Sequence, residues 1–172
     1  WVDSALKSFT SRNFKVIGET GHVYGYGKSV WAMIDLDTRQ PADILAVRGG
    51  LITEYIETEY SCPIEKSSRV KMSADATPVR SIDTYYNDVD INGHINSVKY
   101  IEHMLDLWDV AWYKQHRIKR FEIAYVAESH QGDKLHFYRE QRGTETDFNV
   151  RITKSNVERE ETEVCRCRVQ FV

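Results

Sequence analysis

The feature that most constrains this chain is a change of hydrophobic period at residue 95. Ile95, Val98, Ile101, Leu105, Trp108 and Trp112 recur at spacings of 3, 3, 4, 3 and 4. Met104 and Ala111 widen the stripe, while Lys99, Glu102, Asp106 and Asp109 fall elsewhere around the wheel. That pattern predicts an amphipathic helix of roughly five turns with a broad apolar face. Beyond it the period drops to two. Phe121, Ile123 and Tyr125 alternate, then Leu135 and Phe137 after a Gln131-Gly132-Asp133 turn, then Phe148, Val150 and Ile152, then Cys165, Cys167, Val169 and Phe171. These are strands with one apolar face each. With a β-rich run at residues 79–86 ahead of the helix, the unit reads β, long helix, four antiparallel strands. A sheet that must cover one long apolar helix curls around it, which makes the fold class α+β.

The first part of the chain has strand signals without a helix. Residues 14–17 and 28–34 are the clearest, with 18–27 between them. A shift of 134 positions pairs Asn13 with Asp147, Phe14 with Phe148, Val16 with Val150, Val23 with Val157 and Val30 with Val164. On this reading residues 1–41 are the last strands of a first copy of the same unit, residues 42–78 connect the copies, and residues 79–172 are the second copy. The helix of the first copy is then expected upstream of Trp1, in a stretch of about 50 residues absent from this chain.

Composition excludes several classes. The 172 residues carry 23 Lys+Arg against 26 Asp+Glu, which argues against a broadly polycationic nucleic-acid binder. No apolar run approaches 18 residues, so no membrane-spanning helix is expected. Three cysteines cannot form an even disulfide framework, and Cys165 and Cys167 lack C-x-x-C spacing. Three reduced thiols in a cytoplasmic protein is the expectation.

The candidate chemistry lies just ahead of the helix. Asp90, Asn92 and His94 stand at alternate positions. In an extended segment their side chains share one side, roughly 6–7 Å apart. They would gather at the helix N-terminus, for whose cap Asn92 and Asn96 are the candidates, where unpaired N–H groups favour developing negative charge. A polarised carbonyl, an imidazole that exchanges a proton near neutral pH, and a carboxylate and amide to orient them suit acyl transfer to water. The same Asn, Asp and Gly residues are also ordinary turn formers, so a purely structural turn is the competing reading. Glu128-Ser129-His130, after the next strand, is a second polar cluster with the same two readings. His94, His103 and His116 share no metal-ligand spacing, and no metal is expected.

The run Asp88-Val89-Asp90-Ile91-Asn92-Gly93-His94-Ile95-Asn96-Ser97-Val98-Lys99-Tyr100 resembles the acyl-acyl carrier protein (ACP) thioesterase signature D-x-D-x-N-x-H-x-N-N-x-K-Y. Ser29-Val30-Trp31-Ala32-Met33 and Thr38-Arg39 resemble the same family's S-V-W-x-M strand and T-R turn. The resemblance implies a double hot-dog fold: two tandem units, each a sheet wrapped around a central helix. It implies hydrolysis of the thioester joining a fatty acyl chain to the phosphopantetheine arm of ACP, ending fatty acid synthesis. That arm belongs to the substrate, and no cofactor is implied.

The family's catalytic positions fall on Asp90, Asn92, His94 and Glu128, with Asn96 and Ser129 in supporting places. Plant members usually carry Cys where Ser129 stands here, a departure that counts against an obligatory thiol nucleophile. Because ACP is acidic, the cationic run at Arg117, Lys119 and Arg120 is the expected docking patch, with Arg166 and Arg168 as a second candidate. A hot-dog thioesterase acting on acyl-coenzyme A and a non-catalytic acyl-binding module are the alternatives. A homodimer is left open.

Overall fold

A computed structural model describes residues 1–73, 75–155 and 161–172. Two compact units divide at Lys66/Ser67.

In the first unit, β1 (Val2–Ala5), β2 (Phe9–Ile17) and β3 (Val23–Ala32) form an antiparallel sheet in that order. The turn between β2 and β3 is shorter than the expected 18–27. Tyr24 and Tyr26 alternate with Gly25 and Gly27 inside β3, and a Cβ on Gly27 would stand only 3.5 Å from the Phe14 side chain. Both glycines are therefore strand positions, not turn, and only Gly27 lies against an aromatic side chain. Residues 42–57 are tied to the same unit. Ala42 N donates to Met33 O, Ile44 N to Lys7 O and Glu57 N to Val2 O, at 2.7–2.9 Å. A 3₁₀ segment, Val47–Tyr55, lies within that stretch and turns through positive φ at Arg48, Gly49 and Gly50.

The 134-residue shift does not carry through this hairpin. Phe14 pairs with Gly27 and Phe148 with Val169, so β3 relates to the last strand at an offset of 169 − 27 = 142. Val30 pairs with Ser11 and so sits on the face opposite Phe14. Val157 lies outside the described residues.

The second unit is a five-stranded antiparallel sheet of β4 (Arg80–Asp83), β5 (Ile118–Tyr125), β6 (Lys134–Arg142), β7 (Thr144–Ser155) and β8 (Glu161–Phe171). The spatial order is β4-β6-β7-β8-β5. The chain therefore leaves one edge, crosses a face as helix, and re-enters at the other edge. Leu135, Phe137, Val150, Ile152, Cys165, Cys167, Val169 and Phe171 line the covered face, and Tyr100 and Met104 come down from the helix to form a single core with them. Burying that many side chains at about 1.5–3 kcal/mol each is the main term holding this unit together.

The expected single helix is two: α1 (Ser97–Leu105) and α2 (Val110–Gln115). The Asp109 carboxylate captures the Trp112 N–H at 2.8 Å and starts a new helix, a local competition that periodicity does not register. Three carbonyls at the break find side-chain donors. Tyr113 OH reaches Leu105 O at 2.8 Å, Arg80 reaches Asp106 O at 3.4 Å, and Arg139 reaches Leu107 O at 2.5 Å. The apolar stripe survives the break because Trp108 and Trp112 both pack edge-on against Phe148 and Phe171. No helix among the described residues is long and apolar enough to cross a membrane.

Candidate active site

The Asp90–His94 segment is a closed turn, not the extended segment expected. Asp90 N donates to His94 O at 2.8 Å and Gly93 N to Asp90 O at 3.1 Å, with Gly93 at φ +82°. The Asp90 carboxylate accepts from Asn92 N at 2.8 Å and His94 N at 3.3 Å. The Asn92 amide, then that of His94, hold the Asp90 carboxyl below the usual carboxylate range. Turn chemistry and site chemistry are thus the same residues: Asp90 shapes the loop that presents Asn92 and His94.

Asn96 caps α1, its side-chain oxygen accepting from Val98 N at 2.9 Å. The helix thus begins three residues after His94, and one of its first N–H groups, that of Val98, is already occupied by Asn96. Asp88 is buried beneath the loop. Its carboxylate accepts from Tyr85 N at 2.8 Å and meets His103 Nε2 of α1 at 3.3 Å, while its carbonyl accepts from Asn96 N at 2.7 Å. His103 is accordingly a structural partner.

The loop 126–133 brings the second polar cluster to the first. Ile95 N donates to Ser129 O at 2.8 Å, Lys154 Nζ to Glu128 O at 2.8 Å, and His130 N to the Asp133 carboxylate at 2.9 Å. The buried Thr84 hydroxyl accepts from Gly132 N at 2.9 Å and lies 2.8 Å from Asp133 O and 3.1 Å from His130 O. With the loop held this way, Glu128 Oε2 stands 3.3 Å from His94 Nε2. His94 is partly exposed and Glu128 about half exposed, so the pair is open to solvent and to a substrate.

His130 packs its ring edge-on to His94, centroids 5.1 Å apart. It was legible only as part of the Glu128-Ser129-His130 cluster, because its partner lies on a different loop. Ser129 is fully buried with its hydroxyl lacking a hydrogen-bond partner, and so is the Tyr100 hydroxyl. Burial pushes the Tyr100 phenol up to about 12. Ser129 therefore faces inward, away from the open side of the His94–Glu128 pair.

The cationic run lies on β5 and its approach rather than in a loop. Arg117 pairs through its backbone with Val172, while its side chain and that of Lys119 are exposed. Arg120 bonds Glu122 at 2.6 Å. Arg168 grips Asp147 through two bonds of 2.7 and 2.9 Å, and Arg166 pairs with Glu163. Among the described residues no group of three or more His, Cys, Asp or Glu is arranged to hold a metal ion.

An imidazole and a carboxylate held in contact beside a helix N-terminus can activate water for attack on an acyl carbon. Comparison with known proteins points the same way. The acyl-ACP thioesterase C-terminal domain profile matches residues 71–172, and that of the N-terminal domain matches residues 1–47. An acyl-ACP thioesterase structure from Bacteroides thetaiotaomicron is 46% identical, with a TM-score of 0.88 over the whole of this chain and 66% of its own. The 12:0-ACP thioesterase from Umbellularia californica shares the fold, with a TM-score of 0.79, 20% identity, and coverage of all of this chain and 65% of its own. The palmitoyl-acyl carrier protein thioesterase of Gossypium hirsutum is 26% identical over 132 residues. That alignment takes in 74% of this chain but 32% of the plant protein, so the chain spans about a third of that relative's length. With its signature loop, its helix-bearing sheet and more than half its length matched, the chain belongs to the acyl-ACP thioesterase family, whose fold is the hot dog.

Proposed function

We propose that this chain carries the hydrolytic half of a thioesterase that releases fatty acid from acyl-ACP. The observation that supports the reading is the 3.3 Å contact between His94 Nε2 and Glu128 Oε2 on the open side of the motif loop. In the proposed step a water lies against this pair. Glu128 and His94 take its proton as the water oxygen bonds to the thioester carbon. The Asn92 side chain, exposed on the turn, donates to the carbonyl oxygen as it gains charge. The carbon–sulfur bond then breaks, and the imidazolium returns the proton to the leaving thiolate. Asp90 acts through the backbone, holding the turn that carries Asn92 and His94. The inward-facing Ser129 hydroxyl forms no acyl-enzyme, and no cofactor enters the step.

Acidic carrier protein would dock on exposed Arg117 and Lys119, with Arg120 contributing less because Glu122 already holds it. Charge reversal at Arg117 and Lys119 should raise KM for acyl-ACP while sparing a small thioester. The cytoplasm is the location this proposal carries, consistent with three cysteines that form no disulfide.

The test is hydrolysis of matched acyl-ACP and acyl-coenzyme A. Faster turnover of acyl-ACP is expected, with Ser129→Ala retaining substantial activity and His94→Ala losing on the order of 100-fold. A Ser129→Ala variant as inactive as His94→Ala would favour a covalent intermediate. Preference for acyl-coenzyme A would reassign the carrier.

A further inference from the structure

The face of the five-stranded sheet turned away from α1 is polar, and a strap of chain runs across it. Ser68 meets Glu122 of β5 and Arg168 of β8, Lys71 O accepts from Asn149 of β7 at 2.9 Å, and Ser73 N donates to Glu140 of β6 at 3.0 Å. Between strap and sheet lies a cavity of about 300 Å³, lined by Arg69 and Lys71 of the strap and by Arg151, Arg166 and Glu163 of the sheet.

The charges there are unequal. Arg166 is matched by Glu163, and Glu161 acts on Arg151 from one side while bonding Tyr138 and Thr153. Arg69 and Lys71 make no ion pair with any described residue. Arg151 lies with its guanidinium 4.4 Å over the Tyr138 ring, and its buried Nε has no hydrogen-bond partner. A buried guanidinium N–H without an acceptor is costly, and the same residue lines this cavity. Arg168, a few residues along the same face, shows the contrast, with Asp147 and Glu122 beside it.

We propose that this cavity binds a phosphate ester. Planar guanidinium forks suit the oxygens of a phosphate, and with Glu163 set against Arg166 and Glu161 against Arg151, Arg69 and Lys71 leave an excess of positive charge for a dianion. The volume is about ten times the share of one water, enough for a phosphate with part of its organic substituent. Binding at this site does not depend on thioester hydrolysis, and the test reads binding alone.

The whole chain is titrated by calorimetry at low salt with inorganic pyrophosphate and, separately, with 4′-phosphopantetheine. Variants Arg69→Gln, at an exposed position, and Arg151→Met are titrated after circular dichroism confirms their fold. Both probes should bind, with affinity falling as salt rises and at least tenfold weaker binding in each variant. Tighter binding of the pantetheine ester than of pyrophosphate would identify a pantetheine-bearing ligand as the source, and equal binding would identify a free phosphate group as sufficient. No binding of pyrophosphate at millimolar concentration, or equal binding in wild type and Arg69→Gln, would overturn the proposal.

Discussion

Two hairpins of this chain use nearly the same residues to different effect. In β2, Phe14 and Val16 are 49% and 58% exposed; in β7, Phe148 and Val150 are 8% and 0% exposed. Both are strands with period-two alternation, and both are paired along their length with a following antiparallel strand. What differs is the layer above. Tyr100 and Met104 of α1 and Trp108 after it lie over the second sheet, whereas the described residues of the first unit include no α-helix. Alternation makes a strand. A covering element makes a core, and with it the rigid frame on which loops 84–96 and 126–133 meet.

The largest expected effect follows from that contrast. Val150→Asp should abolish cooperative folding of the second unit, because an unpaired carboxylate would be buried beside Met104 and Ile152. Val16→Asp should cost no more than about 1 kcal/mol in this chain. Urea denaturation followed by tryptophan fluorescence and circular dichroism distinguishes them, and comparable losses would break the comparison. The thiols sharpen it further. Burial pushes the Cys165 thiol up to about 12 and Cys167 upward as well, while Cys62 in the first unit is only partly buried. Native protein at pH 8 should therefore show one thiol reacting with a maleimide and two protected until unfolding, as mass spectrometry of the labelled peptides would report. A thiol pKa raised in the folded state means stability that is present at neutral pH and lost as pH rises from about 9 toward 12. The second unit, which holds both buried thiols, is expected to lose stability over that range, as its tryptophan fluorescence would report.

The smallest effect concerns the helix break. Asp109→Ala removes the cap on the Trp112 N–H and should cost about 1 kcal/mol with activity retained, measured as a shift in urea midpoint. A gain in stability would mean that one continuous helix is the better structure for this stretch.

The strands of the second unit were legible because each keeps a strict alternation, from Phe148-Val150-Ile152 to Cys165-Cys167-Val169. The split of the helix was not, because Asp109 decides it through one side-chain hydrogen bond that leaves the apolar stripe unchanged. Tyr24-Gly25-Tyr26-Gly27 reads as turn composition, yet all four residues pair in register with β2 or lie within the strand opposite it. At the site, Asp90, Asn92 and His94 stood out by spacing, yet their geometry is a closed turn stitched by the Asp90 carboxylate rather than an extended row. The meeting of His94 with Glu128 had no local pattern behind it, because Thr84 and Ile95 of the motif loop and Lys154 of β7, distant in the sequence, hold the Glu128 loop. The polar cluster drew notice to Glu128, and the family resemblance gave it a catalytic place. Neither periodicity nor resemblance singled out His130 as a neighbour of His94.

The His94–Glu128 pair as one water-activating unit is tested most directly by a double-mutant cycle on acyl-ACP hydrolysis. His94→Gln and Glu128→Gln are measured singly and together, with folding checked by circular dichroism. Each single variant should lose roughly 100-fold in kcat/KM, and the double variant should be little worse than the poorer single one, because either loss already disables the pair. Near-normal turnover in a folded Glu128→Gln variant, or losses that multiply in the double variant, would contradict the account.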